Sequence, residues 1–245
     1  MTRTAVIAGV GPGLGASLAR RFAAEGCDVG LLARTASFVE GLASDIAADA
    51  PGDAVAAPVD ITDRAAVTDA FETVREAVGP VDVLVNHASG APWDGADIDP
   101  EDFRQSLEVG PVGSLHCTQE ALADMRSGEG NTDSDAPADT SGTVIFTGAT
   151  SAVRGRDGAL GFSAAKFAVR GMAGSLAREL GPEGVHVAHV VIDGEIATPA
   201  ALEAGADADE LLDPDAIADS YWHLVEQDRS SWTLELDLRP HVEEF

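Results

Sequence analysis

The stretch that decides the fold is Thr4-Ala-Val-Ile-Ala8, which is followed at once by Gly9-Val-Gly-Pro-Gly-Leu-Gly15. The apolar run predicts a buried strand, and the glycines after it predict a tight turn that opens a helix. Glycines at such a turn let the backbone approach a pyrophosphate at the helix N-terminus. We therefore predict a phosphate-binding loop, with a purely structural turn as the alternative. The predicted contacts are Gly9, Gly11, Pro12, Gly13, Leu14 and Gly15.

Apolar segments of strand length alternate with periodic segments of helix length along the chain. This alternation predicts an α/β fold, a doubly wound parallel sheet of seven strands with helices on both faces. The predicted strands are Thr4–Ala8, Val29–Ala33, Ala54–Pro58, Val81–Val85, Thr143–Thr147, Val185–Ile192 and Thr233–Leu238. The predicted helices are Leu14–Glu25, Phe38–Asp49, Arg64–Val78, Glu101–Met125, Ala159–Leu180 and Pro214–Glu226. We expect one domain over residues 1–245, with an acidic surface loop over residues 127–141.

The charge balance is strongly acidic, with 42 acidic and 15 basic residues and a formal net charge of −27. Such a surface repels phosphate backbones and excludes non-specific nucleic-acid binding. Because Lys166 is the one lysine among the basic residues, the composition resembles that of halophile proteins, although a merely acidic protein is the alternative. The sequence has neither an export leader nor an apolar run of about 20 residues, so we expect a soluble cytoplasmic protein without membrane partners.

The two cysteines, Cys27 and Cys117, lie far apart and belong to no CxxC pair or histidine cluster. We therefore expect two buried, reduced thiols and no metal site.

Three further segments extend the pattern in chain order: Asp60-Ile61, Asn86-His-Ala-Ser89, and Asp193-Gly194 with Ile196 and Thr198. With the Gly-x-x-x-Gly-x-Gly loop, they make residues 4–199 resemble the short-chain dehydrogenase/reductase family. The resemblance implies a Rossmann-type fold and hydride transfer between a nicotinamide nucleotide and a carbonyl, an alcohol or an activated alkene. Beyond the glycine loop, the cofactor contacts that it implies are Asp60, Ile61, Asn86, Ala88, Ser89, Val109, Thr147, Lys166, Asp193, Gly194, Ile196 and Thr198.

The tip of the second predicted strand bears on the choice between NAD and NADP. An acidic residue there would bind the ribose 2′-hydroxyl of NAD and repel a 2′-phosphate. Here Ala33 occupies the expected position and Arg34 follows it. Since a guanidinium pairs well with a phosphate, we expect NADP(H) to be preferred, with NAD(H) possible. The alternative is that Arg34 forms an ordinary surface ion pair.

The catalytic positions of the family are mostly changed in this chain. The family places a tyrosine and a lysine at i and i+4 on one helix face, and here those positions hold Phe162 and Lys166. The serine expected thirteen residues before the tyrosine is Ala149, and the asparagine of the preceding helix is replaced at Gly110. Phe162 cannot supply the acid, so the chain resembles a divergent subgroup with Phe-x-x-x-Lys.

Several groups are candidates for the missing hydroxyl, and each also has a structural interpretation. Thr150 is our candidate catalytic residue beside Lys166, and it lies at the carboxyl end of the fifth predicted strand. The other candidates are Thr147, Ser151, Ser163 and His87. The single tyrosine, Tyr221, lies in the last predicted helix, where packing or an interface is expected.

Three functions remain open on the sequence alone. They are an oxidoreductase with a small-molecule substrate, a non-catalytic NADP(H)-binding sensor or scaffold, and a module for another nucleotide. The family resemblance also implies a homodimer or homotetramer, built on the faces of Glu101–Met125 and Ala159–Leu180.

Overall fold

The computed structural model describes residues 2–90, 92–127 and 141–243. Seven parallel strands form one sheet in the order β3-β2-β1-β4-β5-β6-β7, which confirms the predicted doubly wound α/β fold. The strands are β1 (Thr4–Ala8), β2 (Asp28–Ala33), β3 (Ala54–Pro58), β4 (Val83–Asn86), β5 (Gly142–Thr147), β6 (Val185–Ile192) and β7 (Glu235–Leu238). The helices are α1 (Leu14–Ala24), α2 (Ala36–Asp49), α3 (Arg64–Val78), α4 (Pro100–Leu107), α5 (Gly113–Ser127), α6 (Leu160–Leu180), α7 (Pro199–Glu203) and α8 (Pro214–Val225).

The strand order reverses beside β1, which pairs with β2 on one side and with β4 on the other. Chain connections leave β1 and β4 in opposite directions across the sheet, so a crevice opens at the carboxyl ends of these two strands. At that end Ala8 is in register with Leu32 of β2 and with Asn86 of β4. The glycine loop and the Asn86–Ser89 segment therefore meet at one edge of the sheet.

The two faces of the sheet carry two hydrophobic clusters. Side chains of β1 alternate between them, with Ile7 packed under α1, α2 and α8, and Val6 packed under α3, α5 and α6. Both residues are fully buried. The central strands β1, β4, β5 and β6 are buried along their whole length, as expected for a parallel sheet covered on both sides, whereas the edge strand β7 alternates between exposed and half-buried residues.

The predicted helix Glu101–Met125 is wrong as a single α-helix. The chain instead forms α4, a five-residue π-helical segment over Glu108–Val112, and then α5. Pro111 lies inside the π-helical segment, and proline lacks the N–H that a regular helix interior requires. The wider π-helical turn accommodates Pro111, and helical structure continues from α4 into α5.

Other boundaries differ by small amounts. Helix α7 was not predicted, and β4 begins at Val83 instead of Val81. Ser127 of the predicted acidic loop belongs to α5, and residues 128–140 of that loop lie outside the described residues.

Candidate active site

The glycine loop turns sharply between β1 and α1. Gly9 has φ of +112°, and a Cβ on it would lie 2.3 Å from the backbone nitrogen of Ala88. Only glycine fits there, because the loop passes directly over the end of β4. The first turn of α1 holds no acidic side chain, and the N–H groups of Leu14 and Gly15 form no backbone hydrogen bond within the described residues. These N–H groups can bind an anion at the positive end of the helix.

A cleft of about 570 Å³ runs from this loop along the carboxyl edge of the sheet. It brings together fourteen of the predicted cofactor contacts, namely Gly9, Gly11, Pro12, Gly13, Leu14, Gly15, Arg34, Asp60, Ile61, Ala88, Ser89, Val109, Ile196 and Thr198. Sequence reasoning missed other lining residues, among them Thr35, Val59 and Gln105. Thr35 and Val59 adjoin the predicted contacts Arg34 and Asp60 in sequence, which was the available signal, whereas Gln105 lies in α4 with no local motif beside it.

Arg34 and Asp60 form the polar end of the cleft. Arg34 is exposed and has no hydrogen bond or ion pair with any described residue. Asp60 accepts hydrogen bonds from the backbone nitrogen and the hydroxyl of Thr62, at 3.0 and 2.8 Å. Those two bonds, the backbone one first, lower the pKa of Asp60, and the nearby Arg34 adds to the effect. The end of the cleft thus presents an exposed guanidinium that forms no direct ion pair, close to the ionised carboxylate of Asp60.

Lys166 lies next to the part of the cleft that is lined by Ala88, Ser89 and Gly90. Its Nζ donates to the carbonyl oxygen of Thr147 at 2.8 Å and lies 5.6 Å from the ring centre of Phe162. Burial lowers the pKa of Lys166 from 10.5 to about 8. Lys166, Phe162, Asn86 and Thr147 all line a second, enclosed cavity of about 10 Å³, which shares Ala88, Ser89 and Gly90 with the cleft.

Asp193 and Gly194 line neither of these spaces. Asp193 is buried, accepts a 2.6 Å hydrogen bond from Thr150 Oγ1, and lies 3.5 Å from guanidinium nitrogens of Arg154 and Arg239. The Thr150 hydroxyl is therefore occupied by this carboxylate, and the structure does not bring it into the cleft. Asn86 lines the small cavity, but its side-chain nitrogen donates to Thr118 Oγ1 at 3.1 Å, inside the core.

The remaining candidate hydroxyls are also occupied or enclosed. Ser163 Oγ accepts from the backbone nitrogen of Arg156 at 3.3 Å, and Ser151 is fully buried. Thr147 Oγ1 lies 2.8 Å from the Tyr221 hydroxyl and 3.2 Å from Nδ1 of His87, a half-buried residue that lines the cleft. Among these groups, His87 is the one that reaches the cleft.

An aromatic column covers the Phe162 position. Trp93, 60% exposed, stacks on Phe162 with ring centres 5.8 Å apart, and the Arg156 guanidinium lies 5.4 Å from the Trp93 ring centre. Sequence reasoning missed Trp93. The available signal was a single tryptophan within the otherwise small and polar segment Gly90-Ala-Pro-Trp-Asp-Gly95.

Comparison with known proteins establishes the family. A family model described as short chain dehydrogenase matches residues 3–209. The meso-2,3-butanediol dehydrogenase of Serratia marcescens is 31% identical over 188 residues, which cover 76% of this chain and 68% of that protein. The chain therefore belongs to the short-chain dehydrogenase family, whose members are oxidoreductases.

Solved structures give the same result at the level of the fold. A short-chain dehydrogenase from Rhodopseudomonas palustris is 29% identical, with a TM-score of 0.79 over 98% of this chain and 99% of that chain. A 3-ketoacyl-(acyl-carrier-protein) reductase from Brucella melitensis, solved in complex with NADH, is 27% identical, with a TM-score of 0.82 over 98% of this chain and 97% of that chain. These similarities confirm the Rossmann-type fold.

No helix within the described ranges is long and apolar enough to cross a bilayer. Those same ranges contain no group of three or more His, Cys, Asp or Glu side chains arranged to hold a metal ion.

Proposed function

We propose that this chain is an NADP(H)-dependent oxidoreductase that interconverts a carbonyl and an alcohol, with an active site that lacks the usual tyrosine. The supporting observation is the single cleft that joins Arg34, the glycine loop and the Ile196–Thr198 segment. Its dimensions and its N–H donors suit an extended dinucleotide whose pyrophosphate lies on α1. When bound, the nicotinamide supplies or accepts the hydride.

The preference for NADP(H) rests on Arg34. In a chain with 42 acidic residues, this exposed guanidinium forms no salt bridge with any described residue, and the carboxylate that it influences is Asp60 inside the cleft. That observation argues against the alternative of an ordinary surface ion pair. Ala33 at the end of β2 adds no acid that would repel a 2′-phosphate.

Lys166 is suited to hold the nicotinamide ribose. Among the described residues its ammonium has one hydrogen-bond acceptor, the carbonyl oxygen of Thr147, and an ammonium has three donor positions. The remaining donors are available for ribose hydroxyls, a role in which a compact ammonium serves better than a planar guanidinium. This role suits a lysine better than the arginine that the chain uses for its other basic residues.

A second candidate function is a non-catalytic NADP(H)-binding sensor or scaffold. The observation in its favour is Phe162, which carries no hydroxyl and is stacked beneath Trp93. General-acid help contributes typically about 10²–10⁴-fold to such reactions, so an unassisted reaction would be slow.

The first test is a titration of the purified chain with NADPH and with NADH at high salt, following nicotinamide fluorescence. Tight NADPH binding and weak NADH binding are expected. A folded sample that binds neither nucleotide would contradict both candidate functions.

A substitution separates the two candidates. Phe162→Tyr places a phenol next to Lys166, and we expect it to create or raise carbonyl reductase activity by about 10²-fold or more. Activity would be measured on ketones and secondary alcohols, including meso-2,3-butanediol. Phe38→Tyr, at a half-buried position in α2 that lines neither cavity, is the control. Unchanged turnover despite NADPH binding would favour the scaffold.

We also propose a cytoplasmic homodimer or homotetramer, whose interface uses α5 and α6. Leu115 and Phe167 support this proposal, since they expose 39% and 44% of their surface on those helices. Light scattering at high salt is expected to give a multiple of the 25.1 kDa chain mass, and Phe167→Glu is expected to lower it.

A further inference from the structure

The single tyrosine of the chain is connected to the cleft by two hydrogen bonds. Tyr221 in α8 is fully buried, and its hydroxyl lies 2.8 Å from Thr147 Oγ1. The same oxygen lies 3.2 Å from Nδ1 of His87, which lines the cleft. A continuous chain of polar atoms therefore runs from the core behind β5 to the ring of His87.

The protons in this chain can be placed by counting donors and acceptors. The Tyr221 hydroxyl has Thr147 Oγ1 as its one partner among the described residues, so it donates to that oxygen. The Thr147 proton then has His87 Nδ1 as its acceptor. Any other arrangement leaves one buried hydroxyl proton without an acceptor, which is costly in the core. Nδ1 of His87 is therefore unprotonated, and the ring proton of His87 resides on Nε2.

The Nε2 atom faces open space. It has no hydrogen-bond partner among the described residues, and it is absent from the fully buried polar atoms that lack one. Since His87 lines the cleft, its Nε2–H opens toward whatever occupies that cleft. Burial, aided by the charge of Lys166, lowers the pKa of His87 from 6.5 to about 4, so the ring is neutral at physiological pH.

The position of the ring along the cleft follows from Thr147. The Thr147 hydroxyl contacts the His87 ring, and the Thr147 carbonyl oxygen accepts a hydrogen bond from Lys166. The imidazole of His87 and the ammonium of Lys166 therefore both contact the same residue. Under the proposed function, Lys166 holds the nicotinamide ribose, which puts His87 at the nicotinamide end. A neutral N–H donor suits a carbonyl oxygen, as in enzymes that use neutral imidazole as an electrophile.

We propose that the Nε2–H of His87 donates a hydrogen bond to the carboxamide oxygen of the nicotinamide, and that Thr147 and Tyr221 are positioning residues that fix its tautomer. The inference rests on the proposed function, because it needs a nicotinamide nucleotide in the cleft. It gives His87 a binding role that selects the nicotinamide half of the cofactor.

The tautomer is tested without any ligand. In protein labelled with ¹⁵N-histidine, a long-range ¹H–¹⁵N spectrum is expected to show His87 with a protonated Nε2 and a bare Nδ1, assigned with His87→Gln. Thr147→Val removes the donor to Nδ1 and is expected to mix the tautomers. Thr143→Val, at a buried position in the same strand, is the control. A protonated Nδ1 in the unaltered chain would overturn the inference.

The ligand contact is tested with NADP⁺ and with 2′-phospho-ADP-ribose, which lacks the nicotinamide. NADP⁺ is expected to shift the His87 Nε2 resonance, and the truncated nucleotide is not. His87→Leu is expected to weaken NADP⁺ binding about three- to tenfold and to leave the affinity for the truncated nucleotide unchanged. His87→Gln is expected to retain most of the affinity for NADP⁺.

These outcomes distinguish a failure of the proposed role of His87 from a failure of the proposed function. Binding of NADP⁺ without a shift at Nε2, or equal weakening of both nucleotides by His87→Leu, would overturn the role of His87 and leave the proposed function standing. Failure of both nucleotides to bind the folded, unaltered chain would overturn the proposed function and this inference with it.

Discussion

Arg34 is expected to carry the discrimination between the two nicotinamide nucleotides. Arg34→Ala removes a charge-assisted pair with the 2′-phosphate, so NADPH affinity is expected to fall about 10- to 100-fold while NADH affinity stays nearly constant. Fluorescence titration of both nucleotides measures this. Arg20→Ala is the control, because Arg20 is also exposed but is paired with Asp45 in the structure. Equal losses for both nucleotides would contradict a contact with the 2′-phosphate.

Lys166 offers a direct measurement of its environment, because it is the one lysine of the chain. Labelling with ¹³C-lysine gives a single side-chain resonance, and we expect it to titrate near pH 8 in the folded protein. Denatured protein is expected to titrate close to the ordinary lysine value of about 10.4. A folded-state midpoint above pH 10 would show that the ammonium is not desolvated.

The same shift predicts a pH dependence of stability. Between about pH 8 and 10.5 the unfolded chain binds a proton that folded Lys166 has released, so this residue makes the unfolding free energy rise with pH. Burial raises the pKa of Cys27 and Cys117 to about 12, and these thiols act in the opposite direction above pH 9. The contribution of Lys166 is therefore the difference between the unaltered chain and Lys166→Met in urea unfolding across this range.

At the scale of elements, the glycine loop contains a matched pair of positions. A Cβ on Gly9 would collide with the backbone of Ala88, whereas a Cβ on Gly11 has no neighbour within 4 Å. Gly9→Ala is expected to lower the unfolding free energy by about 2–4 kcal/mol, from strain and overpacking. Gly11→Ala is expected to change stability by less than about 1 kcal/mol, because the added methyl group meets no protein atom, and to weaken NADPH binding, because Gly11 lines the cleft. Urea unfolding and NADPH titration distinguish the two; similar stability losses would contradict this account.

The elements that could be predicted from sequence are those fixed by local pattern. The glycine loop depends on conformations that glycine alone adopts, and the central strands depend on apolar runs that are buried on both sides. The π-helical segment could not be predicted in this way, because Pro111 is compatible with either a break or a wider turn. The segment also packs closely on α6, since a Cβ on Gly110 would lie 3.0 Å from the side chain of Ala165, and no local pattern shows that contact.

The side-chain partners in the site needed the whole fold. Thr150 and Asp193 are 43 residues apart in sequence, and their hydrogen bond exists only because β5 and β6 are neighbours. Likewise, Tyr221 reaches Thr147 across 74 residues. The sequence marks Thr150 as a candidate catalytic residue and Tyr221 as a packing or interface residue, but it does not show that the hydroxyl of each is hydrogen-bonded to another side chain.

At the scale of the whole molecule, we propose that the composition is an adaptation to a salt-rich cytoplasm. The net charge of −27 generates self-repulsion that salt screens, since the Debye length falls from about 10 Å at 0.1 M to about 3 Å at 1 M. The unfolding free energy is therefore expected to rise with KCl between 0.1 and 2 M, which urea unfolding at each salt concentration measures.

A variant with fewer charges tests whether repulsion is the cause. Glu40, Glu72 and Glu76 are exposed and have no ion pair with any described residue. Changing all three to Gln removes repulsion that KCl would otherwise screen, so the variant is expected to be more stable than the unaltered chain at 0.1 M KCl and to gain less from added salt. An unchanged salt slope would mean that KCl acts by another route, such as strengthening apolar burial, and that the acidic surface serves solubility alone.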